Sequence, residues 1–223
     1  MAAWSTWRQG NILIVQRVPE FILGSETAVY WGTVLVKSYR LSRKIGRDPN
    51  VIPREKTGRR LRLLWAPTVL AWCALPWVVF FLPKSGIPFI MRTLGAESLA
   101  AVMAGYMGAG IGLIALWATF VCWRKMGRSW RIGIDPNEKT QLIISGPYQR
   151  VRHPIYALSI LLMICSVAVI PSILMAAIAA IHITMLQLEA RREERYLAGV
   201  HGAEYRSYME SVGRFIPRWQ PHE

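Results

Sequence analysis

Two polar clusters in this sequence hold side chains capable of chemistry. One is Ser145-Gly146-Pro147-Tyr148-Gln149-Arg150-Val151-Arg152-His153-Pro154-Ile155-Tyr156; the other is Glu189-Ala190-Arg191-Arg192-Glu193-Glu194-Arg195-Tyr196-Leu197. In the first, Gly146-Pro147 makes a turn, and Pro154 suits the opening turn of a helix, where its missing N–H is not needed. Arg152 and His153 then stand at a helix mouth whose free N–H groups favour anions. A basic juxtamembrane anchor is the plainer reading of the same residues. In the second, helical spacing puts Glu189 and Glu193 on one face, with Arg192 three residues after Glu189. A solvated charged face is the usual explanation of such a run. Brought together, opposed cations and carboxylates at the rim of a pocket could hold a zwitterionic ligand with both an amino and a carboxylate group.

What lies between and before the clusters must position them. The 223 residues are 53% hydrophobic and 18% charged, and the apolar excess sits in long blocks. A helix needs about 20 mostly apolar residues to cross a hydrocarbon core. Trp65–Pro83 and Ser98–Trp123 carry no charge and read as spans. Gly105, Gly108, Ala109 and Gly112 in the latter suit close packing against another helix. Ile155–Leu188 is too long for one crossing and contains only the titratable His182, so two short helices joined near Pro171-Ser172 are expected. Phe21–Tyr39 reads as a first span, with Lys37 snorkelling from its end and Glu26 near the opposite interface. The expected fold is therefore all-α and integral to the membrane, with about five spans. The last two form a hairpin, and a cytoplasmic C-terminal helical segment follows.

Charge placement supports the count. Of 27 Lys and Arg, ten lie in Lys37–Arg62, seven in Arg124–Arg152 and six from Arg191 onward; only Arg8, Arg17, Lys84 and Arg92 lie elsewhere. Five crossings put the three basic segments on one side, whereas four would split them. The positive-inside rule then places the N-terminus outside and the C-terminus in the cytoplasm. In a soluble chain, a net charge of +14 would suggest nucleic acid. Short basic runs between apolar blocks instead point to anionic lipid headgroups, with no nucleic-acid partner. Residues 1–24 lack a signal peptide's order of features. Cys73, Cys122 and Cys165 read as small buried hydrophobes, no metal-ligand spacing occurs, and Asp48-Pro49-Asn50 and Asp135-Pro136-Asn137 are turn signals. His182 is expected to hydrogen-bond within the bundle, and His201 and His222 to lie in an exposed tail.

With the hairpin between them, Arg152-His153 and Glu193-Glu194 emerge on the same side. In this order they resemble the isoprenylcysteine carboxyl methyltransferase-like group of membrane methyltransferases, which includes phospholipid N-methyltransferases. The pattern is Arg152-His153-Pro154, then a helical hairpin, then Glu193-Glu194. The likeness continues through Gly202-Ala203-Glu204-Tyr205-Arg206-Ser207-Tyr208 to Arg214-Phe215-Ile216-Pro217, with Gly127-Arg128-Ser129-Trp130-Arg131 upstream. Ala157 departs from it, standing where the group commonly has Gly. The resemblance implies two regions of a single membrane domain: 1–126, membrane helices with a basic loop, and 127–223, a cofactor-binding region. It implies S-adenosylmethionine as cofactor, with His153, Pro154, Tyr156, Tyr148, Glu193 and Glu194 as candidate contacts. Arg152 and Glu193 become the candidate catalytic pair, and Arg152, Tyr205 and Tyr208 candidates for the acceptor. A lipophilic or prenylated acceptor is implied. A carboxylate acceptor needs no base and could be oriented by Arg; an amine needs a proton acceptor such as His153 or a Glu. A phospholipid amine, or a non-enzymatic scaffold for anionic lipid, are the alternatives.

Overall fold

The computed structural model describes residues 2–46, 56–82, 86–91, 93, 98–127, 130 and 142–218, with the backbone alone at 2–16, 45, 56, 57, 61 and 62. Both Asp-Pro-Asn turns, Arg128, Ser129, Arg131 and His222 lie outside these residues. Five α-helices follow in order: α1 (Ala2–Ile45), α2 (Lys56–Phe81), α3 (Leu99–Met126), α4 (Pro154–Val169) and α5 (Ile173–Ser211). Short 3-10 turns occupy Phe89–Met91 and Gly146–Gln149. The described residues contain no β-strand beyond one isolated bridge.

The apolar blocks form helices because a helix satisfies its backbone hydrogen bonds internally, which a lipid environment requires. Three helical stretches are long and apolar enough to cross a membrane: Gly58–Phe81, Leu99–Met126 and Ile173–Ser211. The expected break within the last apolar block falls at Ile170-Pro171-Ser172, where the Ser172 hydroxyl caps α5 by accepting from the Met175 N–H at 3.2 Å. α4 has only 16 residues, about 24 Å at 1.5 Å per residue, less than a hydrocarbon core. α1 runs for 44 residues, well beyond the expected Phe21–Tyr39.

One core joins all five helices: Leu23 and Tyr30 of α1, Trp72 of α2, Ala109 and Trp123 of α3, Met163 of α4 and Met175 of α5. Large apolar side chains also face outward, among them Leu70, Ile114 and Trp117. A bundle apolar on both its inside and its outside suits a hydrocarbon surround. The small residues of α3 act as the sequence suggests. A Cβ on Gly108 would lie 3.0 Å from the Cys165 carbonyl oxygen, so α4 packs directly on the α3 backbone. Gly112 makes room for Glu26, whose carboxyl would lie 2.5 Å from an added Cβ. Glu26 is thus buried between α1 and α3, and neither of its oxygens has a hydrogen-bond partner among the described residues. Cys122 and Cys165 are buried and Cys73 half-buried, all as free thiols.

Within the bundle, His182 of α5 meets the Ser159 hydroxyl of α4 at 3.0 Å, and its ring lies 5.3 Å from that of Trp72. The expectation of an internal hydrogen bond holds. His201 lies within α5 and is partly buried, where an exposed position was expected.

Candidate functional site

α5 carries its chemistry beyond its apolar stretch. Residues 173–188 are uncharged apart from His182; from Glu189 onward the helix is densely charged. It kinks at Gly202, where φ is 58°, a conformation open mainly to glycine. The kink turns the last part of the helix, and the chain leaving Ser211 returns along the start of α4. There Val151 and Gly213 form a parallel bridge, the Arg152 N–H donates to the Gly213 carbonyl at 2.8 Å, and the His153 N–H donates to the Arg214 carbonyl at 3.0 Å. This short pairing holds the Arg152-His153 backbone against the C-terminal segment.

The two polar clusters meet. Arg152 donates to Glu194 Oε1 through Nε at 3.1 Å and Nη2 at 2.9 Å, while Nη1 reaches the carbonyls of Met209 and Val212. Arg214 grips the same carboxylate from the other side, Nε to Oε1 at 2.9 Å and Nη2 to Oε2 at 2.5 Å. His153 lies between the two acids: Nδ1 is 3.5 Å from Glu193 Oε2, and Nε2 is 3.4 Å from Glu194 Oε1 without hydrogen-bond alignment. Its ring stacks parallel on Tyr156, centroids 5.3 Å apart, with Phe215 at 6.2 Å. Tyr208 donates its hydroxyl to the Tyr148 carbonyl at 2.5 Å, and Tyr205 is buried beside it, ring centroids 5.9 Å apart. Glu189 pairs with Arg192 one turn away at 2.7 Å, as their spacing suggests.

The electrostatics follow from this packing. Burial alone would push the His153 pKa down, but the adjacent carboxylates of Glu193 and Glu194 outweigh it and raise the pKa. Burial alone would raise Glu194, yet His153, Arg214 and Arg152 together hold it well below the usual carboxylate range. Glu193 is also held low against its burial, by His153 and Tyr156. Burial pushes the Tyr148 phenol up, so it stays protonated.

All nine candidate residues, Tyr148, Arg152, His153, Pro154, Tyr156, Glu193, Glu194, Tyr205 and Tyr208, therefore lie at one end of the α4–α5 pair. Arg152 is already engaged: its guanidinium bonds Glu194 and two carbonyls. The reason is geometric, since the return of the chain after Ser211 surrounds it with acceptors. Arg214 is a member of the cluster that residue-by-residue reading left without a role. Its only signal was its place in the Arg214–Pro217 stretch, because an ion pair 20 residues apart has no local periodicity. No group of three or more His, Cys, Asp or Glu fit to hold a metal occurs among the described residues.

Residues 109–199 match the isoprenylcysteine carboxyl methyltransferase (ICMT) family. This segment is ICMT-like. It contains the Arg152-His153-Pro154 and Glu193-Glu194 clusters and the helices between them, and it ends before Tyr205, Tyr208 and Arg214. The nickel-cobalt-cadmium resistance protein NccN of Alcaligenes xylosoxydans xylosoxydans is 30% identical over 94 residues, covering 42% of this chain and 44% of that protein. The chain thus matches less than half the length of that curated relative. The ICMT-like segment holds the α3–α4–α5 contacts that bring the two acids against His153.

Proposed function

We infer that the protein is an S-adenosylmethionine-dependent methyltransferase that acts on a lipophilic, membrane-resident acceptor, with an isoprenylcysteine-type carboxylate favoured. The observation that carries this reading is the meeting of His153 with Glu193 and Glu194 at 3.5 and 3.4 Å, inside the ICMT-like segment. The residues fit the cofactor's charges. The Glu193 side chain is 36% exposed, which leaves its carboxylate able to take up an ammonium group. Because α4 opens with Pro154 and His153 gives no side-chain cap, the N–H groups of Ile155 and Tyr156 are the first-turn donors without a partner among the described residues, suited to a carboxylate. The parallel stack of His153 on Tyr156 offers an aromatic edge beside them.

Bound there, the cofactor would supply an electrophilic methyl: the acceptor oxygen bonds to carbon, and the carbon–sulfur pair departs on sulfur. The protein's part is to position and to exclude water. A carboxylate acceptor requires no proton removal. That matters here, because Glu193 is held below the usual carboxylate range, which makes it a weak base. In this reading residues 127–223 form the cofactor-binding region on the framework of 1–126. The N-terminus lies outside and the site at the cytoplasmic face, with the basic loops against anionic lipid.

Calorimetry on the detergent-purified chain tests it. S-adenosylmethionine should bind, and Glu193→Ala and His153→Ala should each weaken binding by about tenfold or more, the order expected for a lost charge-assisted contact. Unchanged binding in both variants would remove these residues from the site; no binding to the parent chain would remove the cofactor. Methyl-labelled cofactor followed by product extraction separates a prenylated carboxylate from a phospholipid amine, and a non-enzymatic scaffold would transfer no label.

A further inference from the structure

If the acceptor is a carboxylate, it meets cations that already face acids. Arg152 and Arg214 are both committed to Glu194, and His153 lies between two acids. Beyond these charged groups, a neutral donor near the cluster is also unpaired. The Tyr148 hydroxyl is buried and has no hydrogen-bond partner among the described residues. Leaving such a group unpaired costs about 1–3 kcal/mol, so its position calls for a ligand.

The surroundings hold this phenol in place while its hydroxyl stays unpaired. Tyr148 sits in the 3-10 turn Gly146–Gln149, begun by Gly146 at φ +66°. Its carbonyl accepts from the Tyr208 hydroxyl, and the residue is 8% exposed. It lies within electrostatic reach of Glu193, Tyr208 and Cys122. Through Tyr208 it is tied to α5, the helix that carries Glu193.

We propose that Tyr148 is the acceptor-orienting donor: its hydroxyl hydrogen-bonds one carboxylate oxygen of a lipophilic acid, leaving the other oxygen free to attack. The inference rests on the methyltransferase reading and deepens it, because a neutral donor selects an oxygen acceptor over an ammonium. It also moves Tyr148 from the cofactor to the acceptor.

The test uses N-acetyl-S-farnesyl-cysteine and its carboxamide as probes, with the full chain in detergent and S-adenosylmethionine present. The parent chain should methylate the acid and bind it well above the amide. Tyr148→Phe should raise KM for the acid about tenfold, as loss of one hydrogen bond to a charged group implies, with S-adenosylmethionine affinity unchanged. A KM for the acid unchanged in Tyr148→Phe overturns the proposal; so does weakened cofactor binding, which would return the hydroxyl to the cofactor. A parent chain that binds cofactor but does not methylate the acid overturns the carboxylate reading and this inference with it. A parent chain that binds no cofactor overturns the methyltransferase reading itself. If Tyr148→Phe does not fold, 3-fluorotyrosine at 148 replaces it: a more acidic donor should lower KM for the acid, and an unchanged KM overturns the proposal.

Discussion

Arg214 forms a two-pronged contact with Glu194, Nε to Oε1 at 2.9 Å and Nη2 to Oε2 at 2.5 Å, tying the segment after α5 back onto the helix it has just left. The same carboxylate holds Arg152 from the start of α4. One acid therefore joins three stretches of chain, and its neighbours depend on it.

Removal of that acid should be costly. In Glu194→Ala, Arg152 keeps a side chain only 8% exposed with no counter-charge, and breaking a buried pair this way costs about 3–5 kcal/mol. Arg214 is 33% exposed, so solvent screens its share and Arg214→Ala should cost distinctly less. Thermal melts of both variants in the same detergent check the order; equal losses would contradict it.

The cluster also sets a pH window. His153 is raised from 6.5, so its contribution is full below that value and is lost as pH rises through the folded pKa. Glu194 is depressed from 4.5, so its contribution is full above that value and is lost as pH falls through the folded pKa. Both are complete between about pH 4.5 and 6.5. The melting temperature should decline on the alkaline side of this window, and His153→Phe should remove that decline. A decline of the same size in the variant would assign it to another group.

Packing of α3 against α4 gives a third prediction. Gly108→Ala would place a Cβ 3.0 Å from the Cys165 carbonyl oxygen and 3.2 Å from Ala168 and Val169, which forces the helices apart. Overpacking of this kind costs about 1–3 kcal/mol. Gly110→Ala, two residues away, meets nothing within 4 Å and should be neutral or mildly stabilising. Melting temperatures of the pair decide whether α3 glycines act by position or merely as a small-residue stripe.

Much of this was legible without coordinates, for local reasons. Apolar blocks near the length of a bilayer became helices, and Pro171-Ser172 split the last block because proline cannot donate within a helix while serine caps the next one. The order of Arg152-His153 and Glu193-Glu194 around that split sufficed to bring them to one end. The long reach of α1 and the burial of Glu26 were not legible, since hydropathy measures what a segment can cross and not which neighbour makes room for it.

The assignment of partners within the site was decided by tertiary structure alone. Sequence determined that cations and acids would share one end of the hairpin. Only the fold decided that Arg152 and Arg214 both serve Glu194, that His153 divides Glu193 from it, and that the Tyr148 hydroxyl is left unpaired among the described residues. The physical reason is range. Helical periodicity and capping act over a few residues, whereas the contacts that close this cluster link residues 20 and 42 apart and depend on how the kinked end of α5 returns to α4.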